Sequence, residues 1–182
     1  MFVVSASKAF ADMILKSYVR TYGTDAIIIR ASNTYGEKQY PEELIPKAII
    51  RGLLGKEVPV YGSGDQQRNW LYVKDFVNVT KSLSEEGRKG EDNISGDNVR
   101  TNLEILGAIS KYVTLKLKHV GDRPGHYIAY KMKNTKITFE RTPLESGIKE
   151  TVEWYRSNEW WWKPLIDDPY FTKDEEWKIN SV

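Results

Sequence analysis

Two arginine-containing loops have the residue types that a diphosphate-binding site needs. Arg68 directly follows a glycine loop, and Arg123 lies in the polar run Asp122-Arg123-Pro124-Gly125-His126. Both stand at the ends of predicted strands, where α/β proteins usually bind ligands. Since each guanidinium can engage two phosphate oxygens, two converging arginines would suit a diphosphate. Two solvated surface arginines explain the same spacing, and on spacing alone that interpretation is the simpler one.

Three other features each have a binding interpretation and a structural one. Thr101-Asn102 begins a predicted helix whose free N–H groups favour an anion, but helix capping explains the same residues. Pro59 and Tyr61 could sandwich a nucleobase or belong to the core. The run Trp160-Trp161-Trp162 could stack on a sugar. Its three indoles must point in different directions, which favours packing or a partner surface.

The loop Gly62-Ser63-Gly64 contains the one G-x-G pattern of the chain. A dinucleotide fingerprint needs a third glycine, and Gln67 stands at that position. No acidic residue follows at the required distance after a next strand. We therefore predict a plain turn here and no nicotinamide dinucleotide site.

Composition narrows the class of protein without identifying it. The chain has 182 residues, which suggests one domain, and its 40% hydrophobic and 12% aromatic residues indicate a folded protein. The net charge is only +2, so electrostatics give no argument for nucleic-acid binding. We therefore expect no nucleic-acid partner.

The absence of cysteine excludes disulfides, thiol catalysis and cysteine-ligated metal. Two histidines, His119 and His126, leave little for a histidine metal site, so none is predicted. No apolar run approaches the ~20 residues of a membrane span, and the N-terminus does not resemble a signal peptide. These features predict a cytoplasmic protein without a membrane partner.

Helices and short strands alternate in the hydrophobic pattern, which predicts an α/β fold. The predicted helices cover residues 5–22, 44–54, 75–84, 101–113 and 146–155. The predicted strands cover residues 26–29, 58–61, 70–73, 93–94 and 115–120. Residues 32–41 are predicted to be turns.

Four details of this prediction are specific enough to test. The apolar run at 26–29 is typical of a strand covered on both faces. The alternation at 115–120 is typical of a half-buried strand. Asp75 is expected to cap the helix that follows it, and Thr101 with Glu104 has the spacing of a capping box.

Six segments in one order resemble the dTDP-glucose 4,6-dehydratases of the extended short-chain dehydrogenase/reductase superfamily. They are Ser5-Ala6-Ser7-Lys8-Ala9, Arg30-Ala31-Ser32-Asn33-Thr34-Tyr35-Gly36, Pro59 to Gly64 continuing into Arg68 to Asp75, Thr101-Asn102-Leu103-Glu104, Asp122 to His126, and Glu153-Trp154-Tyr155. The resemblance covers residues 5–162. It implies the C-terminal part of a Rossmann-like fold plus the smaller substrate-binding lobe, with the N-terminal NAD-binding half missing. Residues 1–36 would be a remnant of the Rossmann domain, and residues 37–182 mainly the nucleotide-sugar lobe with one or two returning Rossmann elements.

The resemblance also implies a role for each matching residue. Asn33 would touch the sugar or phosphate region of the substrate. The thymine would be bordered by Leu44, Pro59 and Tyr61. The diphosphate and nucleoside would be held by Arg68, Asn102 and Arg123, with His126 beside them. These roles make the two-arginine clamp the preferred interpretation of the loops.

One departure from the family affects catalysis directly. Lys8 matches the lysine of the family's Tyr-x-x-x-Lys pair, but Val4 occupies the position of the tyrosine. Valine has no ionisable group and cannot take a proton from the sugar hydroxyl. The family's glycine-rich NAD turn and its Thr-Asp-Glu cluster belong upstream of this region.

Smaller departures are Glu43 where a lysine is usual, Tyr127 where aspartate is usual, and a shortened stretch at 137–143. Glu43 lies on the base side, so the choice between thymidine and uridine stays open.

The intact family is implied to oxidise the sugar at C4 with bound NAD, eliminate water across C5–C6 and return the hydride to C6. We expect this chain to keep contacts to a dTDP-sugar or UDP-sugar, to bind no NAD and to be inactive alone. The alternative is a non-catalytic interaction module. In that case the helix over 5–22 would pair with a second copy, as a homo-oligomer, or with a complete dehydratase.

Overall fold

The computed structural model describes residues 2–122, 128–133, 136–167 and 171. Its helices are α1 (Phe2–Tyr22), α2 (Leu44–Leu53), α3 (Val73–Glu85), α4 (Asn102–Ser110), α5 (Leu144–Ser157) and α6 (Glu159–Trp162), followed by a 3₁₀ turn at Lys163–Leu165. Its strands are β1 (Ile27–Ala31), β2 (Asn33–Tyr35), β3 (Glu57–Tyr61), β4 (Gln67–Tyr72), β5 (Gly90–Ile94), β6 (Asn98–Thr101), β7 (Lys116–Val120) and β8 (Ala129–Tyr130). The α/β class predicted from the sequence is confirmed.

The described strands form three small sheets. β1 pairs with β5 and β3 pairs with β7, both in parallel. In the third sheet β4 pairs with β2 and β8 in parallel and with β6 in antiparallel orientation. The register places Asn33 opposite Trp70, and Arg68 opposite Arg100.

Strand β4 separates two hydrophobic cores because its side chains alternate between two buried faces. Trp70 and Tyr72 belong to the larger core, together with Tyr35 and the apolar faces of α2, α4 and α5. Leu71 belongs to the smaller core, which also contains Val79 and residues of β1. A strand buried on both faces holds its polar residues at fixed positions, and Arg68 is one of them.

Local sequence signals explain where α4 begins and where α2 ends. The Thr101 hydroxyl accepts from the Glu104 amide, and the Glu104 carboxylate accepts from the Thr101 amide, so the predicted capping box of α4 is confirmed. Gly55 follows α2 with a φ of 67°, a backbone conformation that glycine adopts without strain.

The prediction that Asp75 caps α3 is wrong. Tyr72 stands at the N-cap, and Asp75 lies inside the first turn of the helix. The Asp75 carboxylate instead accepts hydrogen bonds from the Thr142 amide and hydroxyl. Because this contact joins distant parts of the chain, it is invisible to a local sequence pattern.

Three short strands were not predicted. β2 lies within residues 32–41, which were expected to be turns, and β6 and β8 were assigned no structure at all. Strands of two to four residues are too short to show a period of two. Their pairing with β4 forms them, so the structure decides them through tertiary hydrogen bonds.

Two strands are less buried than predicted. All five residues of β1 are half-buried, although the apolar run indicated a strand covered on both faces. β7 is exposed at four of its five positions, and Leu117 is 47% exposed. Among the described strands, β1 pairs only with β5, and β7 pairs only with β3.

The apolar face of α1 is exposed rather than packed against the rest of the described chain. Its residues are Phe10, Met13, Ile14, Tyr18 and Tyr22, of which Phe10 is 67% and Tyr22 is 72% exposed. The helix contacts the β1–β5 sheet through ion pairs of Asp12 with Arg30 and of Lys16 with Glu91. No helix in the described part of the chain is both long enough and apolar enough to cross a membrane.

Candidate functional site

The sheet built on β4 places two of the predicted ligand contacts on one face. Asn33 is the exposed first residue of β2 and lies opposite Trp70. Arg68 is half-buried and lies two residues before Trp70 on β4. Side chains at alternate positions of a strand share a face, so Asn33 and Arg68 belong to the same face of this sheet.

Arg68 is a half-buried cation next to a second arginine. Arg100 lies directly opposite it on β6, so both side chains share a face. The guanidinium of each donates to the backbone carbonyl of the preceding residue, Gln67 or Val99. Within the described chain, no carboxylate pairs with either guanidinium.

Burial holds the pKa of the Arg68 guanidinium below its ordinary value, but an arginine remains charged at neutral pH. Two like charges directly opposite each other in a sheet are unfavourable. An anion that bridges Arg68 and Arg100 would relieve both costs. Sequence spacing did not reveal Arg100, since strand register is a tertiary property.

Four residues from three segments meet at the turn before β4, and we call them the amide cluster: Tyr61, Gln66, Asn102 and Asp122. The buried Gln66 donates from Nε2 to the Tyr61 carbonyl at 3.0 Å and to Asp122 Oδ2 at 3.2 Å. Asn102 Nδ2 donates to Gln66 Oε1 at 3.2 Å. The cluster therefore joins Tyr61 and Asn102, two predicted ligand contacts, to the first residue of the loop with Arg123.

The loop Gly62-Ser63-Gly64 is filled by its own neighbours. Both glycines have positive φ values, 60° and 80°. A Cβ on Gly64 would lie 2.7 Å from the Leu103 side chain, and one on Gly62 would lie 2.9 Å from the Asp122 carboxylate. This packing is typical of a tight turn and leaves no cradle for a pyrophosphate at that loop.

The three residues expected to border the base differ in burial. Leu44, the first residue of α2, is half-buried and packs on the larger core. Pro59 is buried in β3, opposite Lys118. Tyr61 ends β3 and is half-buried, so Leu44 and Tyr61 keep the exposed surface that a base needs.

Arg123 and His126, expected beside the diphosphate, lie outside the described residues. Their loop begins at Asp122, which the amide cluster holds through Gln66.

Two features that the sequence analysis connected with NAD lie in the described chain, the Val4–Lys8 pair and the glycine loop. Val4 and Lys8 lie one turn apart on α1, and Lys8 is exposed. Val4 supplies no proton-transfer group, and the glycine loop is filled by side chains. Among the described residues, no group of three or more His, Cys, Asp or Glu side chains is placed to hold a metal ion.

Two buried tyrosines of the β4 sheet, Tyr35 on β2 and Tyr72 on β4, have perturbed hydroxyl groups. Burial raises the pKa of the Tyr72 hydroxyl to about 12, and its hydrogen bond to the Glu150 carboxylate adds to the effect. Burial also raises the pKa of Tyr35. Raised pKa values disfavour the phenolate form of both residues near neutral pH, and a general base needs the deprotonated form.

A groove of about 460 Å³ lies between α3 and residues 136–140. Its lining includes Asp75, Ser82 and Leu83 from one side and Lys136 and Phe139 from the other. It shares no lining residue with the predicted ligand contacts, and no sequence pattern indicates it.

Comparison with curated proteins shows two relatives of similar closeness. A dTDP-glucose 4,6-dehydratase of Streptomyces niveus is 41% identical over 170 residues, covering 88% of this chain and 51% of the relative. A probable dTDP-glucose 4,6-dehydratase of Sinorhizobium fredii is 39% identical over 183 residues, covering 91% and 52%. The chain thus spans about half the length of these relatives.

Solved structures give the same result. A dTDP-glucose 4,6-dehydratase from Bacillus anthracis in complex with NAD has a TM-score of 0.80 at 38% identity, covering 88% of this chain and 54% of that one. One from Streptomyces venezuelae with NAD and TYD bound has a TM-score of 0.83 at 36% identity, covering 88% and 52%. A UDP-N-acetylglucosamine 4-epimerase from Methanobrevibacter ruminantium in complex with UDP-N-acetylmuramic acid has a TM-score of 0.76 at 28% identity, covering 84% and 53%.

The Rossmann-like α/β architecture expected from the sequence is confirmed by these neighbours, which are extended short-chain dehydrogenase/reductase folds. The model of the NAD dependent epimerase/dehydratase family matches residues 4–96, which is half of the chain. This segment contains all but the first two residues of α1, the β1–β5 pair and the strand that bears Arg68. The chain therefore belongs to the NAD-dependent epimerase/dehydratase family.

Proposed function

We propose that this chain binds a nucleoside diphosphate sugar, with a dTDP-sugar preferred over a UDP-sugar. The observation that carries the proposal is the half-buried guanidinium of Arg68, which faces Arg100 and has no carboxylate partner in the described chain. A diphosphate supplies the negative charge and the paired oxygens that such a guanidinium needs. The relatives named as dTDP-glucose 4,6-dehydratases support the choice of ligand.

The remaining contacts follow from where the ligand's parts must lie. With the diphosphate at Arg68, the exposed Asn33 on the same sheet face is available to the sugar or phosphate. Asn102 begins α4, and its side-chain amide, which also donates to Gln66, is the proposed contact there. The backbone amides of Asn102, Leu103 and Glu104 already donate to Gln66, Gly64 and Thr101, so these three positions offer no free amide to an anion. Arg123 and His126 complete the proposed diphosphate contacts.

The base is proposed to lie between Leu44 and Tyr61, with Pro59 behind them. Tyr61 offers a ring face for stacking, and its carbonyl is held by Gln66. A thymine carries a methyl group that a uracil lacks, and an apolar neighbour such as Leu44 favours the methylated base.

We propose that these 182 residues do not turn over the sugar alone. A dehydratase that begins by oxidising the sugar at C4 must remove a hydroxyl proton as hydride leaves. Val4 cannot accept that proton, and Tyr35 and Tyr72 have raised pKa values. Lys8 by itself cannot replace the missing base, because an ammonium group has no lone pair with which to accept a proton.

The proposed division of the chain has structural support. Residues 1–36 contain α1 and β1 and would belong to the Rossmann domain, while residues 37–182 would form mainly the nucleotide-sugar lobe. β5, from the second region, returns to pair with β1, and Leu71 and Val79 pack against Ile27 and Ile29. β5 and α3 would thus be the returning Rossmann elements.

Thermal unfolding of the purified chain tests the proposal. dTDP-glucose, UDP-glucose and NAD are added separately. Ligand at 100 times its Kd stabilises the folded state by about 2.7 kcal/mol, which raises the Tm by roughly 5–10 °C for a chain of this size. We expect the largest shift with dTDP-glucose and none with NAD. Unchanged melting with both nucleotide sugars would refute the proposal.

A second candidate function is subunit pairing through α1, with a second copy or with a complete dehydratase. It is favoured by the exposed apolar face of that helix, where the rings of Tyr18 and Tyr22 pack at a tilt of 54° with centroids 5.3 Å apart. Sedimentation velocity of the wild-type chain and of Phe10→Lys/Tyr18→Lys tests it. Val77→Lys is the matched control, because Val77 is an exposed apolar residue on another helix. A wild-type monomer at high concentration would contradict self-pairing.

A further inference from the structure

Gln66 is a buried polar residue that touches three separate segments of the candidate site. Only 5% of its surface is exposed, although it lies at the turn between β3 and β4. Burying an amide is unfavourable unless its hydrogen-bonding groups find partners. The partners here belong to the end of β3, the start of α4 and the loop after β7.

The Gln66 side chain uses both kinds of hydrogen-bonding group. Its Nε2 donates to the Tyr61 carbonyl and to the Asp122 carboxylate, at 3.0 and 3.2 Å. Its Oε1 accepts from Asn102 Nδ2 at 3.2 Å. Its backbone carbonyl also accepts from the Asn102 amide at 3.2 Å, so Asn102 is held at two points.

We propose that Gln66 is a positioning residue for the nucleoside diphosphate sugar. It sets the spacing between the base side at Tyr61, the diphosphate side at Asn102, and Asp122. The inference rests on the proposed function, because those three positions matter for the ligand given there. Gln66 is buried behind them and acts through them without touching the ligand.

The arrangement favours binding because it orders the contacts before the ligand arrives. A ligand that must align Tyr61, Asn102 and Asp122 itself loses affinity to that ordering. Backbone bonds close to the cluster, from the Leu103 amide to the Gly64 carbonyl and from the Gly62 amide to the Val120 carbonyl, depend on the same alignment. Their amides report on the cluster in the absence of ligand.

Three variants separate the loss of the Gln66 hydrogen bonds from a change in side-chain size. Gln66→Met keeps the length of the side chain and removes all its hydrogen bonds. Gln66→Glu keeps the shape but turns acceptors toward the Tyr61 carbonyl and the Asp122 carboxylate. In Gln66→Glu/Asp122→Asn the donor moves to the partner, so the bond between positions 66 and 122 forms again. Thr151→Val is the control, because it removes one buried hydrogen bond, to the Gly147 carbonyl in α5.

Calorimetric titration with dTDP-glucose is the first measurement. We expect the Kd to rise about tenfold or more in Gln66→Met and Gln66→Glu, to recover in part in the double variant, and to stay unchanged in Thr151→Val. Gln66→Met combined with Asn102→Ala should be no weaker than the poorer single variant, since the two residues act as one unit. The proposal would be overturned if the losses of binding free energy in Gln66→Met and Asn102→Ala simply added in the combined variant. An unchanged Kd in Gln66→Met would also overturn it.

Hydrogen exchange of the ligand-free chain is the second measurement. Gln66→Met should raise the exchange rate at the amides of Gly62, Asn102 and Leu103 together, while Thr151→Val should leave them unchanged. Unchanged exchange at all three in Gln66→Met would overturn the positioning role. If the wild-type chain binds no nucleotide sugar, the proposed function fails, and this measurement still decides whether Gln66 organises the cluster.

Discussion

At the scale of single residues, Arg68 gives the strongest indication of a bound anion. A guanidinium that is half-buried, still charged and opposite a second arginine is an unfavourable arrangement without an anion. Folding tolerates it because β4 is held on both faces by hydrophobic cores. The charge is therefore placed by packing and is available for a ligand.

The first prediction concerns the two facing arginines. Arg68→Gln should raise the Kd for dTDP-glucose by roughly 10- to 100-fold, since a hydrogen bond to a charged group contributes about 1.5–3 kcal/mol. Arg100→Gln should have a smaller effect because Arg100 is exposed and solvent screens its charge. The Kd of Arg68→Lys should lie between those of the wild type and Arg68→Gln, because lysine keeps the positive charge but lacks the planar guanidinium. Isothermal titration measures all three.

The control for this series is Arg20→Gln, which makes the same change in charge on the exposed end of α1. Its Kd should equal that of the wild type in moderate salt. An unchanged Kd in Arg68→Gln would rule out the diphosphate contact.

At the scale of elements, two helical glycines have opposite surroundings. A Cβ added to Gly147 in α5 would overlap the hydroxyl oxygen of Tyr35, which is buried in the larger core. A Cβ added to Gly107 in α4 would meet no atom within 4 Å. The close approach of the α5 backbone to the Tyr35 ring explains the glycine at position 147. Nothing in the structure requires a glycine at position 107.

The second prediction follows from that contrast. Gly147→Ala should lower the free energy of unfolding by about 1–3 kcal/mol, because the core must shift around Tyr35. Gly107→Ala should raise it by up to about 1 kcal/mol, because alanine has the higher helix propensity. Urea denaturation followed by tryptophan fluorescence measures both. Equal effects of the two substitutions would contradict the packing seen at Gly147.

The third prediction concerns how α1 is attached to the β1–β5 sheet. Hydrogen bonds from Lys16 first, and from Arg30 next, lower the pKa of Glu91 from 4.5 to about 2. A lowered pKa in the folded state stabilises the attachment above about pH 4.5 and loses that effect as the pH falls towards 2. Hydrogen exchange in α1, corrected for the intrinsic rate, should therefore rise over this interval.

Glu91→Gln is the control for this effect, since it removes the titrating group. Its α1 exchange should be faster at neutral pH and should lack the change between pH 4.5 and 2. Salt should reduce the difference between wild type and variant, because these side chains are solvent-exposed. The same pH profile in both chains would show that Glu91 does not hold the helix.

At the scale of the whole molecule, stability is distributed unevenly. The larger core joins α2, α4 and α5 with Tyr35, Trp70 and Tyr72, whereas the smaller core has four buried residues among those described: Leu71, Val79, Leu83 and Ile94. α1 stands outside both cores with its apolar face exposed. The proposed ligand contacts on β4 and α4 thus lie on the more stable part.

The fourth prediction is a ranking of hydrogen exchange across the chain at neutral pH. Amides of α2, α4 and β4 should be the slowest, those of β1 and β5 intermediate, and those of α1 the fastest, because local opening is easiest where little apolar surface is buried. Mass spectrometry of the exchanged chain measures this order at two protein concentrations. Protection of α1 equal to that of α2 would contradict the ranking for an isolated chain, and its rise with concentration would indicate pairing through α1.

Much of the fold was predictable because its signals are local. The apolar run of α2, the capping box at Thr101 and Glu104, and the α/β alternation depend on residues within a few positions of one another. The family resemblance is collinear for the same reason. The valine at position 4, four residues before Lys8, is likewise read from the sequence alone.

Only the tertiary structure decided which residues meet. The strands β2, β6 and β8 exist through their pairing with β4, and that pairing sets Arg100 against Arg68. Gln66 gained its importance in the same way, since its partners Tyr61, Asn102 and Asp122 are 5, 36 and 56 positions away. Register and side-chain contacts depend on how distant segments pack, and no local pattern records that. The sequence by itself therefore determined the family, while the packed structure determined which residues of the candidate site lie together.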